Sequence, residues 1–112
     1  LGVAQLEQLP DFVEKKRELA EIYLQWCMEY GLTFVEEAPD SCSNYWLNAL
    51  LLSGRDERDN FLEYTNKNGI MTRPVWTLMT DLPMYSHHIA LDLFCAKDLQ
   101  SRIVNIPSSV IP

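Results

Sequence analysis

The sequence predicts an α+β domain with a small antiparallel or mixed sheet of about three strands and helices packed on one face. Two patterns predict it. Between Asp11 and Tyr30 apolar residues recur at steps of three and four, the spacing of one helix face. Three short apolar runs, Tyr45 to Leu52, Ile70 to Trp76 and Ile103 to Ile106, are bounded by turn residues and read as strands. Helix and strand alternate along the chain, and there is no internal repeat or low-complexity segment.

In chain order, the first helix is marked by Phe12, Ala20, Tyr23, Trp26, Cys27 and Tyr30, with Leu19 beside them. Glu14, Lys15, Glu18, Glu21 and Gln25 form its wet face, and Gly31 stops it as a C′ residue. Val3 to Leu9 reads as an earlier turn. Pro10 either kinks the helix there or marks a fresh start, because it removes a hydrogen-bond donor. Leu32 to Asp40 reads as a short extended piece and a loop, with Pro39-Asp40-Ser41 as turn chemistry.

Tyr45 to Leu52 has the length and flanks of a buried strand ending at Ser53-Gly54. Its Leu and Ala residues would also suit a helix, but the bounding turns argue against one. Asp56 is placed to cap a helix running to about Asn68, with Phe61, Leu62 and Thr65 on one side and Gly69 at its end. Pro74 restricts the strand Ile70 to Trp76 to an edge or a bulge. Thr77 to Asp92 has no period and reads as a long irregular loop, a kind of segment that is often functional. Ala96 to Arg102 is a short helix, and Ile103 to Ile106 a last strand stopped by Pro107-Ser108-Ser109.

The 112 residues carry nine Lys+Arg against sixteen Asp+Glu, a net charge of −7, with 47% apolar residues. That balance excludes a disordered tail. It also argues against nucleic-acid binding, since the longest basic run, Lys15-Lys16-Arg17, is flanked by Glu14 and Glu18. No apolar run approaches the roughly 20 residues of a membrane helix. Cys27, Cys42 and Cys95 are odd in number and show no C-x-x-C spacing, so a reducing, cytoplasmic compartment is expected, with no disulfide framework and no metal site. Cys27 is expected to pack as a small apolar residue. The start Leu1-Gly2-Val3 has neither an initiator Met nor signal-peptide character, and a piece of a longer chain is expected.

Three ordered segments carry a resemblance. They are Gly2 to Leu9 (GVAQLEQL) with Lys16 to Ala20 (KRELA), then Asn68 to Trp76 (NGIMTRPVW) with Pro83-Met84-Tyr85, then Asn105 to Ser109 (NIPSS). With Tyr45-Trp46-Leu47 and Arg55-Asp56 between them, they resemble the C-terminal part of the DegT/StrS family of pyridoxal-phosphate-dependent sugar aminotransferases. The resemblance implies an aminotransferase small-domain fold. Residues 1–30 would be a long helix leading from a missing large domain, and residues 31–112 the small C-terminal domain. It implies that the full enzyme is a homodimer using pyridoxal phosphate, glutamate and a 4-keto nucleotide sugar in bacterial surface-glycan biosynthesis.

The family's Schiff-base lysine precedes this segment. Lys15, Lys16 and Lys97 read as solvated helix positions and Lys67 as a cation at a helix C-terminus, so no cofactor and no catalysis are expected of this chain alone. The alternative is a non-catalytic interaction module derived from such a domain. A large exposed apolar patch would favour the first reading. A small enzyme built on His87, Cys42 or Asp81 is a weaker rival, because no nucleophile–base spacing supports it.

The candidate substrate-binding residues are Arg73, Trp76, Tyr85, Asn44 and His87. Arg73 offers a fork of donors for a carboxylate or phosphate, or else a surface ion pair. Trp76 and Tyr85 flank the irregular loop, where a ring can stack on a sugar or base or simply pack at an interface. Asn44, Tyr45 and Trp46 open the central strand and can face a cleft or the core. His87 could donate to a diphosphate when protonated, although a loop histidine without a role is the commoner case.

Overall fold

The structure is a computed structural model that describes residues 2–85, 87–88 and 91–109. The chain opens with two helices, α1 (Gly2–Glu7) and α2 (Leu9–Tyr30). Pro10 stands in the first turn of α2, where a missing N–H forfeits no helix bond, so it marks a fresh start. Gly31 closes α2 at φ +68°, with its N–H donating to the Cys27 carbonyl. That left-handed conformation is one that glycine adopts without steric cost.

Then follow β1 (Thr33–Phe34), β2 (Asn48–Leu51), α3 (Arg55–Lys67) and β3 (Arg73–Pro74). Two 3₁₀ turns, Met79–Asp81 and Pro83–Tyr85, interrupt the long loop before α4 (Phe94–Arg102) and β4 (Ile103–Ile106). The sheet has four antiparallel strands in the order β1-β2-β4-β3. The fourth strand is the extended piece after Gly31, which pairs Thr33 with Leu51 and Phe34 with Leu50. β3 lies at an edge, where Pro74 blunts the outer rim because it has no N–H to offer.

Three sequence expectations are corrected. The strand expected over Ile70 to Trp76 contracts to the two residues of β3, Arg73–Pro74. β2 is shorter than Tyr45 to Leu52, since Tyr45 takes φ +43° and turns the chain out of the extended region. Local side-chain bonds hold that turn and compete with the sheet ladder: Tyr45 N–H donates to Ser43 Oγ and Trp46 N–H to Asn44 Oδ1, each at 3.0 Å. Asp56 does not cap α3. Gly54 is the capping residue, Asp56 lies inside the first turn, and Glu57 instead accepts from the backbone N–H and the hydroxyl of Ser53. These bonds, the hydroxyl first, pull the Glu57 carboxyl below its usual range. Gly69, at φ +78°, turns the chain after α3, as expected.

One face of the sheet makes the core. Asn48 and Leu50 on β2 stand opposite Ile106 and Val104 on β4, and all four are buried. Phe34 and Leu52 join them, Ala20 and Cys27 come from α2, and Phe61 and Leu62 pack in from α3. Cys27 is therefore a packed apolar residue, and burial pushes its thiol up. The predicted apolar face of α2 divides in two. Trp26 sits about 100° round the helix from Cys27. It is exposed and forms a tilted ring pair with exposed Tyr30, at 5.4 Å between centroids.

Candidate substrate groove

The opposite face of the sheet leads to the candidate site. Strand residues alternate between faces, so Arg73 and its register partner Asn105 point away from the Val104 core. Together with Leu47, Met71, Trp76 and Ser108 they line a groove of about 400 Å³. Arg73 is exposed and forms no ion pair among the described residues; its guanidinium touches only the Met71 sulfur, at 3.9 Å. A free planar fork of donors is suited to a carboxylate or phosphate.

Trp76 is 71% exposed and Trp46 63%, and their rings stand 6.0 Å apart at 35°. This makes an aromatic wall beside the free guanidinium. The wall is held from behind. Asn44 Oδ1 accepts from the Trp46 N–H, and the Trp46 carbonyl accepts from Lys16 Nζ at 3.2 Å. Lys16 Nζ also donates to the Ser108 carbonyl. Ser108 Oγ accepts from Asn48 N–H and donates to the Ile106 carbonyl, both at 2.8 Å.

A second polar cluster secures the loop that leads to Trp46. Arg17 and Glu37 form a bidentate pair at 2.8 and 2.9 Å. Glu37 also accepts from Ser43 N–H, while Arg17 donates to the Ser43 carbonyl, both at 2.6 Å. The guanidinium lies 5.6 Å over the Tyr45 ring. Hydrogen bonds from Arg17, then from Ser43, pull the Glu37 carboxyl down to about 2, and Glu37 in turn raises the Arg17 pKa. Every charge here is met within the chain, so this cluster is a clasp and offers nothing to a ligand. A larger recess of about 730 Å³ lies along α1 and the start of α2, where Leu6, Leu9, Pro10 and Val13 meet Glu14, Arg17 and Glu18; its one cation, Arg17, is already committed to the Glu37 clasp.

Of the predicted residues, Arg73 and Trp76 share the groove, and Asn44 supports it through Trp46. Tyr85 and His87 do not line it. Tyr85 sits on the second 3₁₀ turn with its ring 5.8 Å from His88, and His87 is exposed. Sequence reasoning missed Asn105, Ser108 and above all Lys16, which is half-buried rather than solvated. A signal was present: Lys16 lies four residues before Ala20 and eleven before Cys27, on the same side of the helix as both.

A model of the DegT/DnrJ/EryC1/StrS aminotransferase family matches residues 1–110. The chain belongs to that family. Within it, the chain is 34% identical over 108 residues to the GDP-perosamine synthase of Escherichia coli O157:H7, covering 96% of this chain and 29% of the relative. It is 32% identical to the GDP-perosamine synthase of Vibrio cholerae, covering 96% and 30%. The solved structure of the aminotransferase TlmJ from Streptoalloteichus hindustanus superposes with a TM-score of 0.82 at 25% identity, covering 95% of this chain and 29% of TlmJ. This DegT/StrS family chain thus spans less than a third of the length of the relatives it matches.

The family implies pyridoxal phosphate in the whole enzyme, a cofactor that needs an amine for its aldehyde and donors for its phosphate. The lysines of this chain do not supply that combination. Lys15 pairs with Asp11 at 3.2 Å, Lys16 is turned onto two backbone carbonyls, and Lys67 and Lys97 are exposed on α3 and α4. None of them lines the Arg73 groove.

Proposed function

We propose that this chain is the small C-terminal part of a pyridoxal-phosphate-dependent sugar aminotransferase, and that its groove receives a nucleotide-linked keto sugar. In this reading residues 1–30 lead in from the large domain, residues 31–112 form the small domain, and the large domain supplies the Schiff-base lysine. Glutamate is the amino donor, the enzyme is a cytoplasmic homodimer serving surface-glycan synthesis, and the chain alone does not transaminate. The observation that carries the reading is the meeting of an unpaired Arg73 with the exposed Trp46–Trp76 wall in a chain of this family. Arg73 would hold an anionic group of the substrate, and the indoles would stack on a ring. Tyr85 and His87 lie outside the groove and would reach substrate only from the loop that borders it.

The exposed apolar surface favours this reading over a self-sufficient interaction module. Val3 and Leu6 on α1 and Ile22 and Met28 on α2 are each more than 60% exposed, apolar surface that a large domain packed against these helices would cover. The test is a chimera in which this chain replaces the matching segment of the Escherichia coli GDP-perosamine synthase. Formation of GDP-perosamine, reduced at least tenfold by Arg73→Ala, is the expected result. A soluble chimera that binds the cofactor but is indifferent to Arg73→Ala would overturn the assignment of the groove. Separately, pyridoxal phosphate and borohydride applied to the purified chain should label lysines weakly and at several positions. Stoichiometric labelling of one lysine would mean that the chain holds a cofactor site of its own.

A further inference from the structure

We infer that Lys16 is a positioning residue for the groove: from α2 it fixes both backbone segments that flank it. The inference rests on the reading of the groove as a substrate site only for its kinetic consequence. The segment before β2 carries Trp46 and Leu47, and the segment after β4 carries Ser108 and Ser109. Neither segment continues the sheet ladder, so each depends on other bonds for its place. The Lys16 ammonium joins them by donating to the Trp46 carbonyl and to the Ser108 carbonyl.

The stem of Lys16 runs past Leu9, Phe12, Val13, Asn44 and Trp46, which keeps the cation over a mostly apolar recess. A hydrogen bond from a charged donor is stronger than one between neutral groups. It acts on the segment whose Trp46 ring stands 6.0 Å from that of Trp76. Two other α2 residues each anchor one of these segments: Arg17 at Ser43, and Tyr23, whose hydroxyl donates to the Pro107 carbonyl at 2.9 Å. Lys16 differs from these in touching both segments at once.

The chain contains three tryptophans, which makes the test direct. Labelled with 5-fluorotryptophan, it should give three fluorine resonances, assigned by single Trp→Phe variants. Lys16→Met should shift or broaden Trp46 and Trp76 and leave Trp26, on the outer side of α2, in place. Lys16→Arg, which keeps the charge and the donors, should restore the pattern. In the chimeric synthase, Lys16→Met should raise KM for the nucleotide sugar about tenfold with kcat changed less than about threefold, because binding geometry is lost and the reacting groups are not.

Unmoved Trp46 and Trp76 resonances would overturn the inference. So would equal movement of Trp26 in both Lys16→Met and the milder Lys16→Gln, which would mean general loosening. If the resonances move as expected while KM does not, Lys16 positions the groove and the substrate reading of the groove fails.

Discussion

Asn48 is fully buried at the start of β2, and among the described residues neither its amide nitrogen nor its amide oxygen has a hydrogen-bond partner. Its backbone N–H donates to Ser108 Oγ at 2.8 Å. Leucine has the same branching at the same atom and would stand among Leu50, Val104 and Ile106. Asn48→Leu is therefore expected to stabilise the fold, contrary to the usual effect of a core substitution. Removing unmet buried polar groups is worth about 1–3 kcal/mol. The bulk of two methyl groups takes back about 1 kcal/mol through tighter packing.

The expected net gain is about 0–2 kcal/mol, or up to roughly 10 °C in Tm for a chain of this size. Urea unfolding followed by far-UV circular dichroism would measure it, with an unchanged slope showing that only stability has moved. Asn48→Asp should do the reverse, because it buries a charge without a partner. A loss of more than about 1 kcal/mol in Asn48→Leu would refute the argument, since it would mean that the amide is bonded in solution.

Three further outcomes are expected. The Glu37 carboxyl ordinarily titrates near 4.5 and is held at about 2 when folded, so the Arg17 clasp contributes fully above pH 4.5 and is lost as pH falls towards 2. Thermal scans from pH 7 to pH 2 should show that loss, and Glu37→Gln should flatten the slope in that window. Gly31→Ala should cost about 1–2 kcal/mol in the same urea assay, because alanine at φ +68° brings its Cβ against the following carbonyl. Trp76→Ala should leave stability within about 0.5 kcal/mol, since the ring is mostly exposed, yet lower the activity of the chimeric synthase.

Much of the local fold was legible because short-range rules act through one or two residues. Pro10 started a helix and Gly31 ended it; Pro74 sent its strand to an edge. Ile103 to Ile106 formed β4 with the bounds expected of it. The failures were of another kind. The extended character of Tyr45 to Leu52 was read from its apolar run, but Ser43 and Asn44 compete for the backbone of its first residues. Asp56 had the right chemistry for a cap, two residues too late.

The site was legible as residue types and not as a constellation. Arg73 and Trp76 could be singled out because a guanidinium and an indole beside a proline-broken strand are poor core residues. Nothing local could show that Trp46, thirty positions away, meets Trp76, or that Tyr85 and His87 fall outside the groove. Lys16 looked like one more solvated lysine until α2 was laid against the sheet.

The amino-acid sequence alone settled the class of fold, most helix ends, the edge strand and the family, because propensity, turn chemistry and ordered motifs reside in neighbouring residues. Tertiary structure alone decided that β4 inserts between β2 and β3, which cation is free and which is clasped, and which aromatic rings meet. Those outcomes depend on which distant segments share a buried face, and burial is a property of the packed chain rather than of any window along it.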